Sequence, residues 1–414
     1  MNKKILTLAV AAGLIAPMAT YADVTLSGKI QAEVTGSEIG TEKVLDANTN
    51  RDLEESGDRQ TLTNDSLGAV FNAGANILVF DIDEKLGGGL TAYARYEGTF
   101  DTSDNAGLNK GKQAYVGLKT ETFYLRYGKL TGAYKSSKGI VDPWGGTSLQ
   151  ARGSGGGMSG SKYNHVKTYA EMGDIPIGVD PNQVVTDSQG RVLIHSASNT
   201  NHQGLAHSSE VEGALEAGVK FGGFSFALQG FVDDASGLNG GGLLELRYTA
   251  PSFVVFMSGA YTDLDDVTNE VTDTIDNVDG EDDDLTDNED QGEGNWKVGG
   301  QYKLGDQMKI GLQYEHAELG AFDNAEGDYV IGSLAFNLQR LTLAGWVAGY
   351  MADREYNLVD VDGSVLEEDA LSWAVGAQYH FSKRTMGYLG YRQTDSDNDY
   401  RDEDVIVGGI RHVF

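Results

Sequence analysis

Between Val24 and Val34 the chain alternates without a break. Val24, Leu26, Gly28, Ile30, Ala32 and Val34 are apolar or glycine, while Thr25, Ser27, Lys29, Gln31 and Glu33 are polar. A period of two sends successive side chains to opposite faces of a strand. The alternation outruns a typical strand of about 5–6 residues and matches the ~9–11 residues that a tilted strand needs to cross a bilayer. Similar segments recur in pairs across short turns. Segments 113–119 and 123–129 flank Thr120-Glu121-Thr122, and 213–221 and 224–232 flank Gly222-Gly223, a dipeptide suited to a two-residue hairpin because glycine accepts positive φ. Further pairs are 242–249 with 253–261, 296–303 with 307–315, 328–336 with 341–350, and 371–380 with 385–393. Adding 24–34, 66–82, 90–97 and 405–414 predicts 16 strands. In 66–82 the apolar set sits at odd positions up to Ile77 and then moves to Leu78, Phe80 and Ile82, which predicts a bulge.

Long polar stretches separate the pairs: 98–112, 130–212, 233–241, 262–295, 317–327, 351–370 and 394–404. Short turns alternating with long loops are what a transmembrane barrel shows, with turns on one side of the membrane and loops on the other. In hydrocarbon each unpaired N–H or C=O costs several kcal/mol, so the sheet must close on itself. Sixteen strands leave a water-filled lumen, whereas about eight would be packed with side chains. The expected fold is therefore all-β: a 16-stranded antiparallel transmembrane β-barrel. Aromatic residues at strand ends (Tyr96, Tyr127, Phe221, Phe224, Tyr248, Phe253, Tyr302, Tyr350, Tyr379 and Phe414) are expected at the membrane interfaces.

Composition narrows the function. The chain has 62 acidic against 31 basic residues, a net charge of -31, and no cysteine. That sign opposes nucleic acid as a partner, because such binding rests on Lys and Arg. Disulfides, thiolate chemistry and Cys-ligated zinc are excluded. Lys3 and Lys4 precede an apolar run from Ile5 to Ala16, and Thr20-Tyr21-Ala22 supplies small residues around a cleavage site. This is the pattern of an export signal, dividing the chain into a signal peptide, 1–22, and a single barrel domain, 23–414. No run of 18 apolar residues follows, so helical spans are not expected.

Three passages carry a family resemblance. Ala22-Asp23-Val24-Thr25-Leu26-Ser27-Gly28 resembles a signal junction and first strand. Ala114-Tyr115-Val116-Gly117-Leu118-Lys119 with Leu125-Arg126-Tyr127-Gly128-Lys129 resembles a hairpin before a third loop. Val407-Gly408-Gly409-Ile410-Arg411-His412-Val413-Phe414 resembles a barrel terminus. Together they are similar to the Gram-negative general-diffusion porins, the trimeric 16-stranded kind. The resemblance implies an outer-membrane location, a homotrimer, no cofactor, and recognition of Phe414 by the barrel-assembly machinery. It also implies that 130–212 folds inward as the constriction loop. That loop is longer than the family's usual one, and 262–295 is more acidic.

Strand parity supplies candidate pore residues. Lys29 shares the polar face of the first strand, and Arg95 and Arg126 oppose the apolar sets of theirs. With Asp142 opposite, and Glu171 and Asp174 as further candidates, they would set a transverse field across the constriction, since low-dielectric walls focus such fields. Scattered solvated charges are the plainer alternative. The loop 262–295 holds 15 Asp or Glu between Asp263 and Glu293. It is either a solvated loop or a negative vestibule in which Asp282, Asp283 and Asp284 concentrate cations. Asp395-x-Asp397-x-Asp399 has calcium-like spacing, but Tyr400 stands where an EF-hand needs glycine. Rim and constriction differ in sign, and the balance tips slightly to cations. His165, His195, His202 and His207 share one loop without zinc-protease spacing, and Gly157-Met158-Ser159-Gly160 lacks a nucleophile-elbow context, so no enzyme is expected. The expected partners are ions, small hydrophilic solutes and outer-membrane lipid. Two other readings remain: a substrate-specific outer-membrane channel, and a secreted acidic β-rich adhesin or calcium-binding surface protein.

Overall fold

The computed structural model describes residues 22–39, 45–46, 51–52, 59–63, 76–100, 108–151, 156–158, 185–186, 192–194, 210–231, 240–263, 292–318, 325–354, 369–396 and 403–414. Among them, sixteen long strands follow one another: β1 Asp23–Ile39, β2 Ile77–Gly87, β3 Leu90–Phe100, β4 Leu108–Lys119, β5 Phe123–Thr131, β6 Glu210–Phe221, β7 Phe224–Phe231 and β8 Gly240–Thr249. The second half comprises β9 Phe253–Asp263, β10 Gly292–Leu304, β11 Met308–Glu318, β12 Ala325–Leu338, β13 Leu341–Arg354, β14 Ala370–His380, β15 Thr385–Ser396 and β16 Glu403–Val413. Each is antiparallel to the next, and β16 returns to β1 with Lys29 opposite Val413 and Ile39 opposite Glu403. The sheet is a closed barrel. No described helix is long and apolar enough to cross a membrane.

The alternation is obeyed throughout. Val24, Leu26, Ile30 and Val34 are exposed on the outer face, whereas Gln31 and Glu33 are buried within. At the short-turn end Phe221, Phe224, Tyr248 and Phe253 follow one another from strand to strand with centroids 4.5–5.8 Å apart, as an interfacial girdle. Gly222 takes a φ of +54° in the two-residue turn between β6 and β7. Tyr350 departs from the expected girdle. The outward set of β13 is Leu343, Val347 and Met351, so Tyr350 points inward, 1% exposed, and packs edge-on against Tyr329.

The barrel seam shows how β1 meets the closure requirement. Its lower half pairs with β2, Asp23 to Lys29 opposite Asp83 to Ile77, and its upper half pairs with a short strand, Arg59–Thr63. Where the partner changes, Gln31 N donates to Asn76 Oδ1 at 2.7 Å, so a side chain serves a backbone donor that would otherwise be orphaned. The expected strand 66–82 is therefore displaced. It begins at Ile77 and runs to Gly87, keeping one phase from Leu78 onward, and 64–75 lies outside the described residues. Charged Asp83, Glu84 and Lys85 conceal this extension in the sequence, because they lie at the water-facing end. For the same reason several strands outrun their apolar pattern at the long-loop end; β12 and β13 have 14 residues each. At the other edge Phe414 exchanges backbone hydrogen bonds with Gly28 (3.0 and 3.1 Å), and its ring occupies the space that a Cβ at Gly28 would need.

Candidate functional site

After β5 the chain turns into the barrel. Residues 132–151 and 156–158 lie against its inner wall, starting with the short 3-10 turn Tyr134–Ser137. Ala133 N donates to Gln229 Oε1 on β7 (2.7 Å), and Gln301 Nε2 on β10 and Ser333 Oγ on β12 donate to the carbonyls of Ile140 and Val141. Trp144 Nε1 donates to Ala344 O on β13 (3.3 Å), while Trp346 Nε1 donates back to Leu149 O (2.8 Å). Arg392 and Arg411, on β15 and β16, donate to Ser148 O and Gly146 O, both at 2.8 Å. Glu33 on β1 is the densest anchor. Its carboxylate accepts from Ser148 Oγ (2.7 Å), Tyr388 OH (2.6 Å) and Gln31 Nε2 (2.9 Å). Farther along, Lys297 Nζ donates to Gly156 O (2.9 Å), and Glu315 accepts from Met158 N (2.7 Å).

Apolar packing supports the same placement. Val141, Trp144, Leu149, Ala151 and Met158 from the loop form one buried cluster with Ala344, Trp346, Ala348 and Ala374 from the wall. Small wall residues make room for it: a Cβ at Gly390 would stand 2.3 Å from Leu149 Cδ1. The largest buried apolar cluster among the described residues thus lies inside the barrel, between loop and wall.

The described part of the loop is anchored mainly to one side of the barrel. Its hydrogen bonds reach β1, β7, β8 and β10 to β16, together with Glu210 at the start of β6 through Lys135 (3.3 Å). On the opposite wall, Arg126 Nη2 clamps both oxygens of Glu216 (2.7 and 2.9 Å), and its Nε adds a third bond. Arg95 lies 3.6 Å from both Asp81 and Glu97, and Lys119 donates to Asp83 at 2.6 Å. Lys29 faces inward within electrostatic reach of Arg411, Lys138, Lys112 and Glu97.

The structure therefore brings Lys29, Arg95 and Arg126 to the lumen but gives Asp142 another task. Asp142 is 7% exposed, and its carboxylate accepts from Trp144 N (2.9 Å) and Ala151 N (3.1 Å). A buried loop must satisfy its own backbone donors, and this side chain does so. The carboxylates that face the basic residues are instead Asp81 and Glu216, on adjacent strands, and Glu97, two residues from Arg95 on β3. Parity could have found all three, because each opposes an apolar outward set. Nor do the basic residues form one ring: Lys29 stands opposite Ile77, itself opposite Thr99, four positions along β3 from Arg95. Asp395 lies at the outer end of β15, opposite Leu371. Asp282, Asp283, Asp284, Asp397, Asp399, Glu171, Asp174 and the four loop histidines fall outside the described residues. No group of three His, Asp or Glu among the described residues is arranged to hold a metal ion.

A family model described as Gram-negative porin matches residues 7–399. No curated protein matches the chain. Among solved structures, an anion-selective porin from Comamonas acidovorans is 15% identical with a TM-score of 0.58, covering 95% of this chain and 100% of that one. The trimer form of OmpT, an outer membrane protein of Vibrio cholerae, is 13% identical with a TM-score of 0.56, covering 95% and 99%. Salmonella typhi OmpF in complex with daunomycin is 14% identical with a TM-score of 0.52, covering 94% and 97%. At such identities the likeness is one of fold. The secreted-adhesin reading finds no support beside it. With a closed barrel, an inner face of polar and paired charged side chains, and a family match along nearly all its length, this chain belongs to the Gram-negative porins: it is an outer-membrane channel for passive diffusion of ions and small hydrophilic solutes.

Proposed function

We propose that the inward loop is the size-limiting element of this channel and that Lys29, Arg95 and Arg126 tune the charge of the opening beside it. The observation that carries this reading is the hydrogen bonding of 132–151 and 156–158 to the inner wall of a closed barrel, which narrows the lumen from one side. Solutes then pass between the loop and the wall of β2 to β5, driven by their own gradients. The paired carboxylates temper Arg95 and Arg126 locally, while the acidic loop 262–295, including Asp282, Asp283 and Asp284, concentrates cations at the mouth, with Asp395, Asp397 and Asp399 contributing. The net result is a weak cation preference. Reversal potential under a salt gradient tests this, before and after Arg95→Ala and Arg126→Ala. Both variants should shift the potential towards cations, and an unchanged preference removes these residues from the constriction.

Residues 1–22 serve as a cleaved export signal, and Phe414 serves the barrel-assembly machinery as its recognition residue. The family match supports a channel rather than an enzyme. The trimer form of the Vibrio cholerae structure supports assembly as a homotrimer in outer-membrane lipid. Stepwise conductance from purified, folded protein in planar bilayers tests the channel itself.

A further inference from the structure

The strands β9 to β16 end in opposite charges. At their loop ends stand Glu318, Asp353, Asp395, Glu403 and Asp404, with Arg354 as counter-charge, and the acidic run between Asp263 and Glu293 joins β9 to β10 at the same end. At their turn ends the sign reverses. Lys303 stands directly opposite Lys309, Arg340 lies in the turn between β12 and β13, and Lys383 and Arg384 lie in the turn between β14 and β15. All five are exposed, and none makes an ion pair among the described residues. The one carboxylate in these three turns is Asp306. The turns are fixed in a row, because each accepts a backbone hydrogen bond from the strand after its hairpin: Asn337 N to Gln307 O (2.7 Å), His380 N to Arg340 O (2.7 Å) and Val413 N to Arg384 O (2.8 Å). Neighbouring turns are therefore ~10 Å apart, two strand spacings. The row lies just on the turn side of the inward loop. Gln301, whose side chain holds the carbonyl of Ile140, is two residues from Lys303 on the same face of β10, and Gln378, which holds that of Pro143, precedes the turn of Lys383. Across the remaining turns Lys85, Lys119 and Lys220 nearly balance Asp23, Asp83, Glu84 and Glu121, so the turn side is net basic in a chain of net charge -31.

Resting on the reading of this chain as a diffusion channel, we propose that its two mouths make it a rectifier, passing ions more readily when the loop side is positive. Charge of one sign in a cleft raises the local concentration of its counter-ion, so the acidic loop mouth enriches cations and the basic turn mouth enriches anions. With the loop side positive, each ion is driven inward from the mouth where it is abundant. Both accumulate between the mouths, and the resistance falls. With the polarity reversed, each ion must enter through the mouth that repels it. The middle is then depleted, and the resistance rises. A lumen lined evenly by one sign would select an ion without this directionality. Here the middle does little to blur the contrast, since Arg126 is clamped by Glu216 and Arg95 lies between Asp81 and Glu97.

The test is the current–voltage relation of single channels in planar bilayers, with equal KCl in both chambers. Orientation is assigned with Ser252→Cys, the only thiol in a chain without cysteine: biotin attached at that turn is captured by streptavidin from the turn side alone. In ~0.1 M KCl the current with the loop side positive should exceed that at the reversed voltage by roughly 1.5-fold to threefold, and the ratio should approach one in ~1 M KCl, where screening is short-ranged. Combining Lys303→Gln, Lys309→Gln and Arg384→Gln should remove most of the asymmetry while leaving conductance in ~1 M KCl close to wild type. These side chains are exposed, so little stability is lost, and heat-modifiable gel migration checks the fold. The salt series on the channel with native charges stands on its own if the triple variant does not fold. A linear relation at low salt, a larger current with the loop side negative, or asymmetry that survives the triple variant overturns the proposal and leaves the channel reading intact. Absence of any salt current from folded protein overturns the channel reading instead.

Discussion

The two sides of the lumen are built from similar residues and end in opposite states. On the side that carries the loop, Tyr329, Tyr350 and Trp346 are 0%, 1% and 4% exposed, sealed beneath Trp144, Leu149 and Met158. On the opposite side Tyr93, Tyr115 and Tyr124 are half-buried. The charged residues divide in the same way. Glu33, Glu315, Lys297 and Arg392 are buried and hold loop backbone, whereas Arg95, Arg126 and Lys119 are matched by carboxylates of the wall and face the channel. An inward position in a porin is therefore not automatically a pore position. Whether it meets water depends on a segment that arrives from far away in the chain.

Substitutions on the covered side should act through the seating of the loop, and those on the opposite side through the ion pairs of the wall. Trp144→Ala should have the largest effect. Emptying so large a buried site costs about 3–5 kcal/mol, read as a lower temperature for conversion of the folded gel band, with higher single-channel conductance as the loop loosens. Unchanged conductance would mean that the loop is held by its hydrogen bonds alone. Next comes Arg126→Ala, which strands the 2%-exposed side chain of Glu216 and should cost roughly 3 kcal/mol. Adding Glu216→Leu should recover much of that loss, and failure to recover would show that Arg126 acts through more than this pair. Glu33→Gln keeps an acceptor for Ser148 and Tyr388 but removes its charge, so about 1–2 kcal/mol is expected, with little change in ion preference. A large change in reversal potential there would place Glu33 in the ion path. The smallest effect belongs to Lys119→Ala, whose pair with Asp83 is 36% and 49% exposed. It should shift the unfolding temperature by the equivalent of less than ~1 kcal/mol, and a greater loss would mark this pair as structural.

Much of the barrel is legible in the chain because lipid and water impose opposite demands on adjacent residues. The run from Val24 to Val34 reads directly as one staggered wall, and so do the pairs around Gly222-Gly223 and Leu304-Gly305-Asp306. Legibility ends where that contrast ends. β2 is hidden by Asp83, Glu84 and Lys85, and the upper ends of β12 and β13 by the absence of lipid outside them. The candidate site was half legible. Parity identifies Arg95 and Arg126 as inward, and applied to every strand it also identifies Glu97 and Glu216. It carries no information on Asp142, a loop residue whose carboxylate is turned to Trp144 N and Ala151 N. It also cannot separate Tyr350 from Tyr93: both point inward, yet one is sealed under the loop at 1% exposure and the other is only half-buried.

From sequence alone come the strand number, the closure of the sheet and the face on which most residues of the lipid-facing stretches lie, because a bilayer enforces those choices residue by residue. Tertiary structure alone decided which inward residues meet water, which carboxylate meets which cation, and that the main buried apolar cluster lies inside the barrel. Those outcomes depend on contacts between segments some 200 residues apart, such as Trp144 with Ala344, and no local pattern encodes such a distance.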